Sequence, residues 1–247
     1  MRADEVTTRT ATFGGLDLYR RLQEYKTDDL ETVASFLEDV AQSTSREGSE
    51  KPSLVDVCAG VGRTVPLYDP DRWSITLIDS DTEALDKAKE LYPHVRALRV
   101  DLSREVAPAS FDVAVCLHNA ANEVGPIDLL FENLRALLGR NARLLIDLRT
   151  GTGTYEFASL TETVRLLEVC GEEWLLETSV VHGCVPSLHT LLLFGRPVGN
   201  DGNLRPVVYG VERFVPTEQE FLQAAASAGF TLLNRRGRSC YDFRRAA

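Results

Sequence analysis

The stretch Leu54-Val55-Asp56-Val57-Cys58-Ala59-Gly60-Val61-Gly62-Arg63-Thr64 limits the folds open to this chain more than any other. An apolar run carrying one acid leads straight into a Gly-x-Gly turn, the pattern of a buried parallel strand followed by a tight loop. Gly60 and Gly62 can take positive φ and lack a Cβ, so a ligand can lie against their main chain. A helix opening after Gly62 would aim its unpaired N–H groups at the same place. A Gly-x-Gly alone occurs in many turns, so its meaning depends on the residues downstream.

Downstream there is a regular series of acids at strand ends. Ser74-Ile75-Thr76-Leu77-Ile78 reads as a second strand closed by Asp79, and Val95-Arg96-Ala97-Leu98-Arg99-Val100 as a third closed by Asp101. In an open parallel sheet, ligands bind beyond the carboxyl ends of the strands, where the topology switches. Asp79 follows Gly62 by 17 residues, where an acid can accept hydrogen bonds from both hydroxyls of a ribose. Asp101 and Leu102 lie one strand further out, where an adenine ring would rest. Each acid alone is equally well a helix cap or strand end; the ordered set points to an adenosine-containing ligand.

Two cofactor classes use this layout. A dinucleotide fingerprint requires G-x-G-x-x-G, and the third position here is Val65. The stretch continues Pro66-Leu67-Tyr68-Asp69-Pro70. Pro66 fits only a first helical turn and Pro70 must end the segment, so the expected helix is very short. No long helix cradles a diphosphate, and no G-K-[ST] sequence suggests a nucleoside triphosphate. A nicotinamide oxidoreductase would reuse Gly60, Gly62 and Asp79, but Val65 and Pro66 speak against it. An adenosine without phosphates fits better.

Asp56 to Gly62, Asp79-Ser80, Asp101-Leu102 and Phe111-Asp112-Val113-Ala114-Val115 together resemble the ordered motifs of class I S-adenosylmethionine-dependent methyltransferases. The resemblance covers roughly residues 50 to 150 and is nearest in flavour to the small-molecule N-methyltransferases of the glycine and amino-sugar types. It implies a Rossmann-like α/β fold, a mostly parallel seven-stranded sheet flanked by helices, with an antiparallel β insert covering the active site. It further implies S-adenosylmethionine as cofactor, with Gly60 and Gly62 facing the methionine part, Asp79 holding the ribose and Asp101 facing the adenine amine. Asp56, Cys58, Ala59, Ser80, Leu102, Leu117 and His118 complete the cofactor set it implies. Two departures stand out: Cys58 occupies a place where the family often has glycine, and the first helix is shorter than usual.

Composition narrows the partners. A net charge of −10 over 247 residues argues against a nucleic-acid or anionic-membrane surface, since either would call for a basic face. The local basic cluster Arg235, Arg236, Arg238, Arg244 and Arg245 reads as a solvated strand face. Five cysteines show no C-x-x-C pair and no metal-like grouping with histidine, so no metal is expected. They read as reduced, mostly buried thiols of a cytoplasmic protein. No secretory signal pattern opens the chain, and no apolar run approaches the ~20 residues that span a bilayer.

The rest of the chain is read as one domain. Residues 14–45 form a helical N-terminal lid, 52–150 the cofactor-binding core, 160–214 the insert, and 217–247 a closing helix and β hairpin. Leu16, Leu18, Tyr19, Leu22 and Tyr25 recur at helical spacing, as do Leu30, Val33, Phe36, Leu37 and Val40. Tyr19 and Tyr25 are candidate lid contacts to cofactor or acceptor, or plain core. Asp81 to Leu91 is a helix capped by Asp81 or Ser80. The fourth strand, Val113 to Leu117, empties into His118-Asn119-Ala120-Ala121-Asn122-Glu123, a polar cluster facing the crevice. His118 is a base, an orienter of the nucleophile or a hydrogen-bonded loop histidine; Asn119 and Asn122 are acceptor contacts. Asp128 to Leu138 is a helix ended by Gly139, and Ala142 to Leu148 the fifth strand. Asp147-Leu148-Arg149 after it resembles the glycine-type enzymes, in which the arginine pairs with a substrate carboxylate; a surface ion pair is the plainer alternative.

From Thr163 the rhythm changes. Val164 to Val169, Trp174 to Val181, Leu188 to Phe194 and Val207 to Phe214 read as four antiparallel strands, with Gly199-Asn200-Asp201-Gly202-Asn203 as a hairpin tip. This insert is expected to roof the acceptor or to form a dimer contact, with His182, His189 and Tyr209 lining it. Thr217-Glu218-Gln219-Glu220 is a capping box opening a helix to Ala228. The expectation is methyl transfer to an amine of a small molecule or peptide end. The alternatives are O-methylation with His118 as base, and a methyltransferase-like protein that only binds.

Overall fold

A computed structural model describes residues 28–43, 51–104, 109–118, 120–150, 163–169, 172–182, 188–197, 207–236 and 239–246. Their contacts divide the chain into two compact units, one of residues 27–150 with 216–247, the other of residues 1–26 with 151–215.

In the first unit, every short apolar run flanked by breakers becomes a strand. These are β1 (Ser53–Val57), β2 (Ser74–Asp79), β3 (Arg96–Arg99), β4 (Phe111–Cys116), β5 (Leu138–Asp147), β10 (Phe230–Arg236) and β11 (Cys240–Arg245). They form one sheet in the order β10-β11-β5-β4-β1-β2-β3. β1 to β5 pair in parallel, while β11 runs antiparallel to both β5 and β10. This is the mostly parallel seven-stranded sheet, with a closing antiparallel hairpin, that the sequence implied. The order reverses between β1 and β4, so the segments leaving those two strands open a crevice at their carboxyl ends.

Both faces of the sheet are covered, which explains why the central strands are apolar throughout rather than alternating. One face carries α1 (Asp28–Ser43) and α2 (Thr82–Leu91), packed through Val33, Phe36, Leu37, Val40, Leu85 and Ala88. The other carries α3 (Ile127–Leu137) and α4 (Glu218–Ser227). There the Phe131 ring lies 5.4, 5.6 and 5.9 Å from those of Phe221, Phe230 and Phe243. Tilted and edge-on pairs at such spacing each add about 0.5–1.5 kcal/mol beyond the area buried.

Local signals were mostly honoured. Asp81 caps α2, accepting from the N–H groups of Glu83 and Ala84, and the Thr217/Glu220 capping box on α4 is complete. Two expectations need correction. Gly139 does not end α3: the helix stops at Leu137 and β5 begins at once. A Cβ on Gly139 would sit 2.9 Å from Ser110 Oγ, so the glycine permits close approach to the start of β4. The irregularity falls later, where β5 carries extra residues opposite Phe111 to Val113 and Asn141 takes φ 61°. Nor is the C-terminal arginine cluster solvated throughout: Arg235 and Arg244 are exposed, Arg238 lies outside the described residues, and the Arg236 side chain is largely buried. Arg236 pairs with Asp39 and Asp242, and Arg235 pairs with Glu218 and lies over the Tyr241 ring.

The second unit contains a four-stranded antiparallel meander in the order β6-β7-β8-β9, formed by Thr163–Val169, Glu172–His182, Leu188–Pro197 and Val207–Phe214. His182 is the register partner of His189, and Tyr209 that of Leu193. Tyr19, Tyr25, Asn119, the helix expected around Leu16 to Tyr25 and the hairpin tip at 199–203 lie outside the described residues. Among the described residues no helix is long and apolar enough to cross a membrane.

Candidate functional site

The crevice begins at the loop leaving β1. Ala59 donates its N–H to the Ile78 carbonyl at 3.1 Å, which ties the loop to β2. Gly60 and Gly62 take φ of 54° and 77°. The two glycines serve different ends. A Cβ on Gly60 would meet nothing within 4 Å, so the main chain there borders open space. At Gly62 it would come within 3.0–3.3 Å of Val65, Leu77 and Tyr92, so that glycine serves packing. The segment then makes one 3-10 turn, Val65–Leu67, with Pro66 inside it. No helix opens here to supply an N-terminal set of free N–H groups, as the two prolines required.

Asp79, at the end of β2, joins the loop to α2. Its Oδ2 accepts from Gly60 N–H at 2.8 Å and its Oδ1 from Asp81 N–H at 2.9 Å. Ser80 follows, half-buried, its carbonyl accepting from Arg99. One strand further out, Asp101 Oδ1 accepts from the Ser103 N–H at 3.0 Å and its hydroxyl at 2.6 Å, and Leu102 is buried. Asn133 of α3 donates its side-chain amide to the Leu102 carbonyl, pinning this turn from below. Asp79, Asp101 and the glycine loop therefore border the same carboxyl edge of adjacent strands.

Asp56 acts on the loop from its buried side. At 3% exposure, its Oδ2 accepts from the Thr64 hydroxyl and, at 2.9 Å, from the Tyr68 hydroxyl. Burial pushes its carboxyl up to about 6, against the pull of those two hydrogen bonds. A pKa raised on folding means that the native state binds the proton more tightly. This group's contribution to stability is thus fullest at low pH and is lost as pH rises through about 6.

The loop after β4 meets the loop after β1. His118 takes φ 66° and donates its backbone N–H to Asp147 Oδ2, at the end of β5, at 2.8 Å. The Arg63 guanidinium lies against both imidazole nitrogens, 2.7 Å from Nε2. Arginine has only donors, so the ring nitrogen that faces it must accept. Leu117 is buried just before, among the apolar residues of the α1 face. Asn122 is wholly buried in a short turn, Ala120–Asn122. Its amide donates to the Arg149 carbonyl and accepts from the Arg149 N–H, each at 3.0 Å, leaving the Arg149 side chain exposed at the end of β5.

Sequence reasoning singled out neither Arg63, Thr64 and Tyr68 nor the tie from Asn133. Arg63 adjoins Gly62 and was visible on that ground, but its partner lies 55 residues away. Nothing local identifies Tyr68 or Asn133.

No protein-family profile and no curated protein matches the chain. Solved structures do. SAM-bound CalS10, an amino pentose methyltransferase from Micromonospora echinaspora involved in calicheamicin biosynthesis, superposes with a TM-score of 0.73 at 16% identity, over 93% of this chain and 97% of that one. DesVI of Streptomyces venezuelae gives 0.72 at 14% identity, over 94% and 98%. The sugar N-methyltransferase KedS8 from Streptoalloteichus gives 0.70 at 16% identity, over 93% of each. The chain has the Rossmann-like fold of these methyltransferases.

Proposed function

We propose that this chain transfers a methyl group from S-adenosylmethionine to an amine of a small molecule or of a peptide terminus. The observation that carries the reading is the hydrogen bond from Gly60 N–H to Asp79 Oδ2, which ties the loop after β1 to the end of β2 beside open space at Gly60. The arrangement suits an adenosyl group. Asp79 is a carboxylate placed to accept from ribose hydroxyls, Asp101 is one strand away for the adenine amine, and the main chain of residues 58–62 can lie along the methionine part. The fold shared with an amino pentose and a sugar N-methyltransferase supports an amine acceptor.

When bound, S-adenosylmethionine supplies a methyl group already activated on a sulfonium. The chain's task is positioning, which is worth up to about 7–11 kcal/mol in favourable systems. Arg149 binds an anionic or carbonyl group of the acceptor and aims its nucleophile, and Asn122 fixes the Arg149 backbone for that purpose. An amine attacks when neutral, and a pocket that excludes water favours that form without a dedicated base. A hydroxyl acceptor would more often need a base. The Arg63 guanidinium against the His118 ring competes for the lone pair such a base would use, which favours N- over O-methylation.

Thermal unfolding tests the cofactor. S-adenosylhomocysteine at a hundredfold excess over its Kd should stabilise the chain by about 2.7 kcal/mol, and NAD should leave Tm unchanged. The reverse pattern would overturn the reading. A separate experiment decides the acceptor atom. His118→Asn should slow turnover modestly and leave the shape of the pH–rate profile intact. A loss of about 10²- to 10⁴-fold together with a vanished limb would instead assign a general base and an O-methyltransferase.

A further inference from the structure

Asn133 stands where an apolar residue is expected. The buried stripe of α3 is otherwise Leu130, Phe131, Leu134 and Leu137, and Asn133 lies among them at 1% exposure. Its side-chain nitrogen donates to the Leu102 carbonyl. A carbonyl only accepts, so the amide must present its nitrogen there and turn its oxygen away. That buried Oδ1 has no hydrogen-bond partner among the described residues. An acceptor left unmade in the interior costs its desolvation, and a leucine of similar volume would avoid the cost. Native structures leave few such groups, and each calls for a reason.

What the bond holds supplies that reason. β3 is an edge strand of four residues, paired with β2, and none of its side chains is fully buried. The turn that leaves it closes mostly on itself. Asp101 Oδ1 accepts from the Ser103 N–H and hydroxyl, and the Arg104 N–H donates to the Asp101 carbonyl at 3.0 Å. The buried Leu102 side chain adds apolar contact, which fixes depth but has no preferred direction. The Asn133 bond does have one, because a carbonyl accepts along its lone pairs. It sets the rotation of the peptide next to Asp101 from a helix whose Leu130 and Leu134 are wholly buried.

We infer that Asn133 is a positioning residue for base recognition: it orients the Asp101–Leu102 turn so that the Asp101 carboxylate meets the exocyclic amine of the cofactor's purine, and a purine carrying a carbonyl oxygen in its place is refused. The inference rests on the cofactor reading above. Asn133 acts through the Leu102 peptide and not by touching the ligand. An amine donates to a carboxylate, whereas a carbonyl oxygen turns lone pairs towards it and is repelled. Such discrimination requires that the acid be held in place; a turn free to rotate lets the carboxylate swing aside, and the difference between the two bases shrinks.

The full chain and its Asn133→Leu variant would be compared for affinity towards S-adenosylhomocysteine and S-inosylhomocysteine, in which a carbonyl oxygen replaces the purine amine. The wild type should prefer the adenosyl ligand by about ten- to a hundredfold, the worth of a hydrogen bond to a charged group. In Asn133→Leu the preference should shrink to about threefold or less. The unliganded Tm should stay within about 4 °C of wild type, since the orphaned acceptor goes with the lost bond. Asn133→Ala, a good helix former, is read in the same way if leucine does not fit. Amide exchange at Ser103 and Arg104 in the unliganded variant should quicken about tenfold. A variant that keeps the wild-type preference overturns the assignment, even where it binds both ligands more weakly, because uniform weakening is what a purely structural asparagine would give. A wild type that binds both ligands alike, or neither, overturns the reading of Asp101 itself and the assignment with it.

Discussion

Asp242→Ala should destabilise this protein by about 3–5 kcal/mol, more than any single change at the crevice. Asp242 is 1% exposed in β11 and accepts from two arginines at once. Arg143 of β5 reaches it with Nε at 3.1 Å and with Nη2 at 2.7–2.8 Å, and Arg236 of β10 with Nε at 3.0 Å. Both guanidiniums also lie over the Phe36 ring of α1, at 5.5 and 5.6 Å. Arg236 continues outwards to Asp39 and to the Ser35 hydroxyl. Removing the aspartate leaves two nearly buried cations facing each other, with only an aromatic face and a half-exposed acid between them. At about 2–4 °C per kcal/mol for a chain of this size, the midpoint should fall by roughly 6–20 °C. Replacing the Arg143–Asp242 pair by Met and Leu together should cost less than Asp242→Ala alone, because the burial penalty goes with the charges. A Tm within 2 °C of wild type for Asp242→Ala, read on the same ~2–4 °C scale, would show that this network does not anchor α1 to the sheet.

That network shows where reading a sequence stops. The strands of the central sheet were legible because each is a short apolar run between breakers, and the two prolines at 66 and 70 foretold how little helix follows the glycine loop. The cap at Asp81 and the box at Thr217 are rules of three or four neighbouring residues, and both are met. Asp242, Arg143, Arg236 and Asp39 are separated by up to about two hundred positions and meet only through sheet order, so a cluster of arginines looked like a wet surface. Gly139 misled for a related reason. A glycine after a helix reads as a stop, yet here its lack of a Cβ makes room for Ser110, just before β4. Arg63 and His118 repeat the point at the crevice. Each sits in a loop singled out from local pattern, and only the reversal between β1 and β4 brings the two together.

Asp79→Ala should weaken S-adenosylhomocysteine binding about ten- to a hundredfold. In the reading above, a ribose hydroxyl loses a charged acceptor, which is worth about 1.5–3 kcal/mol. A second loss adds to it. The carboxylate now holds the Gly60 N–H at 2.8 Å and the Asp81 N–H at 2.9 Å, so without it the glycine loop and the start of α2 are no longer tied together. Asp79→Asn separates the two contributions. The amide keeps one oxygen able to accept from Gly60 but loses the charge and the second acceptor, so its affinity should fall between those of wild type and alanine. The unliganded Tm gives the structural share directly, because the tie between loop and helix exists without ligand. A small drop in that Tm with a large loss of affinity is the expected pattern. If Asp79→Ala binds S-adenosylhomocysteine as tightly as wild type while remaining folded, the ribose is held elsewhere and the acid is only a strap between loop and helix.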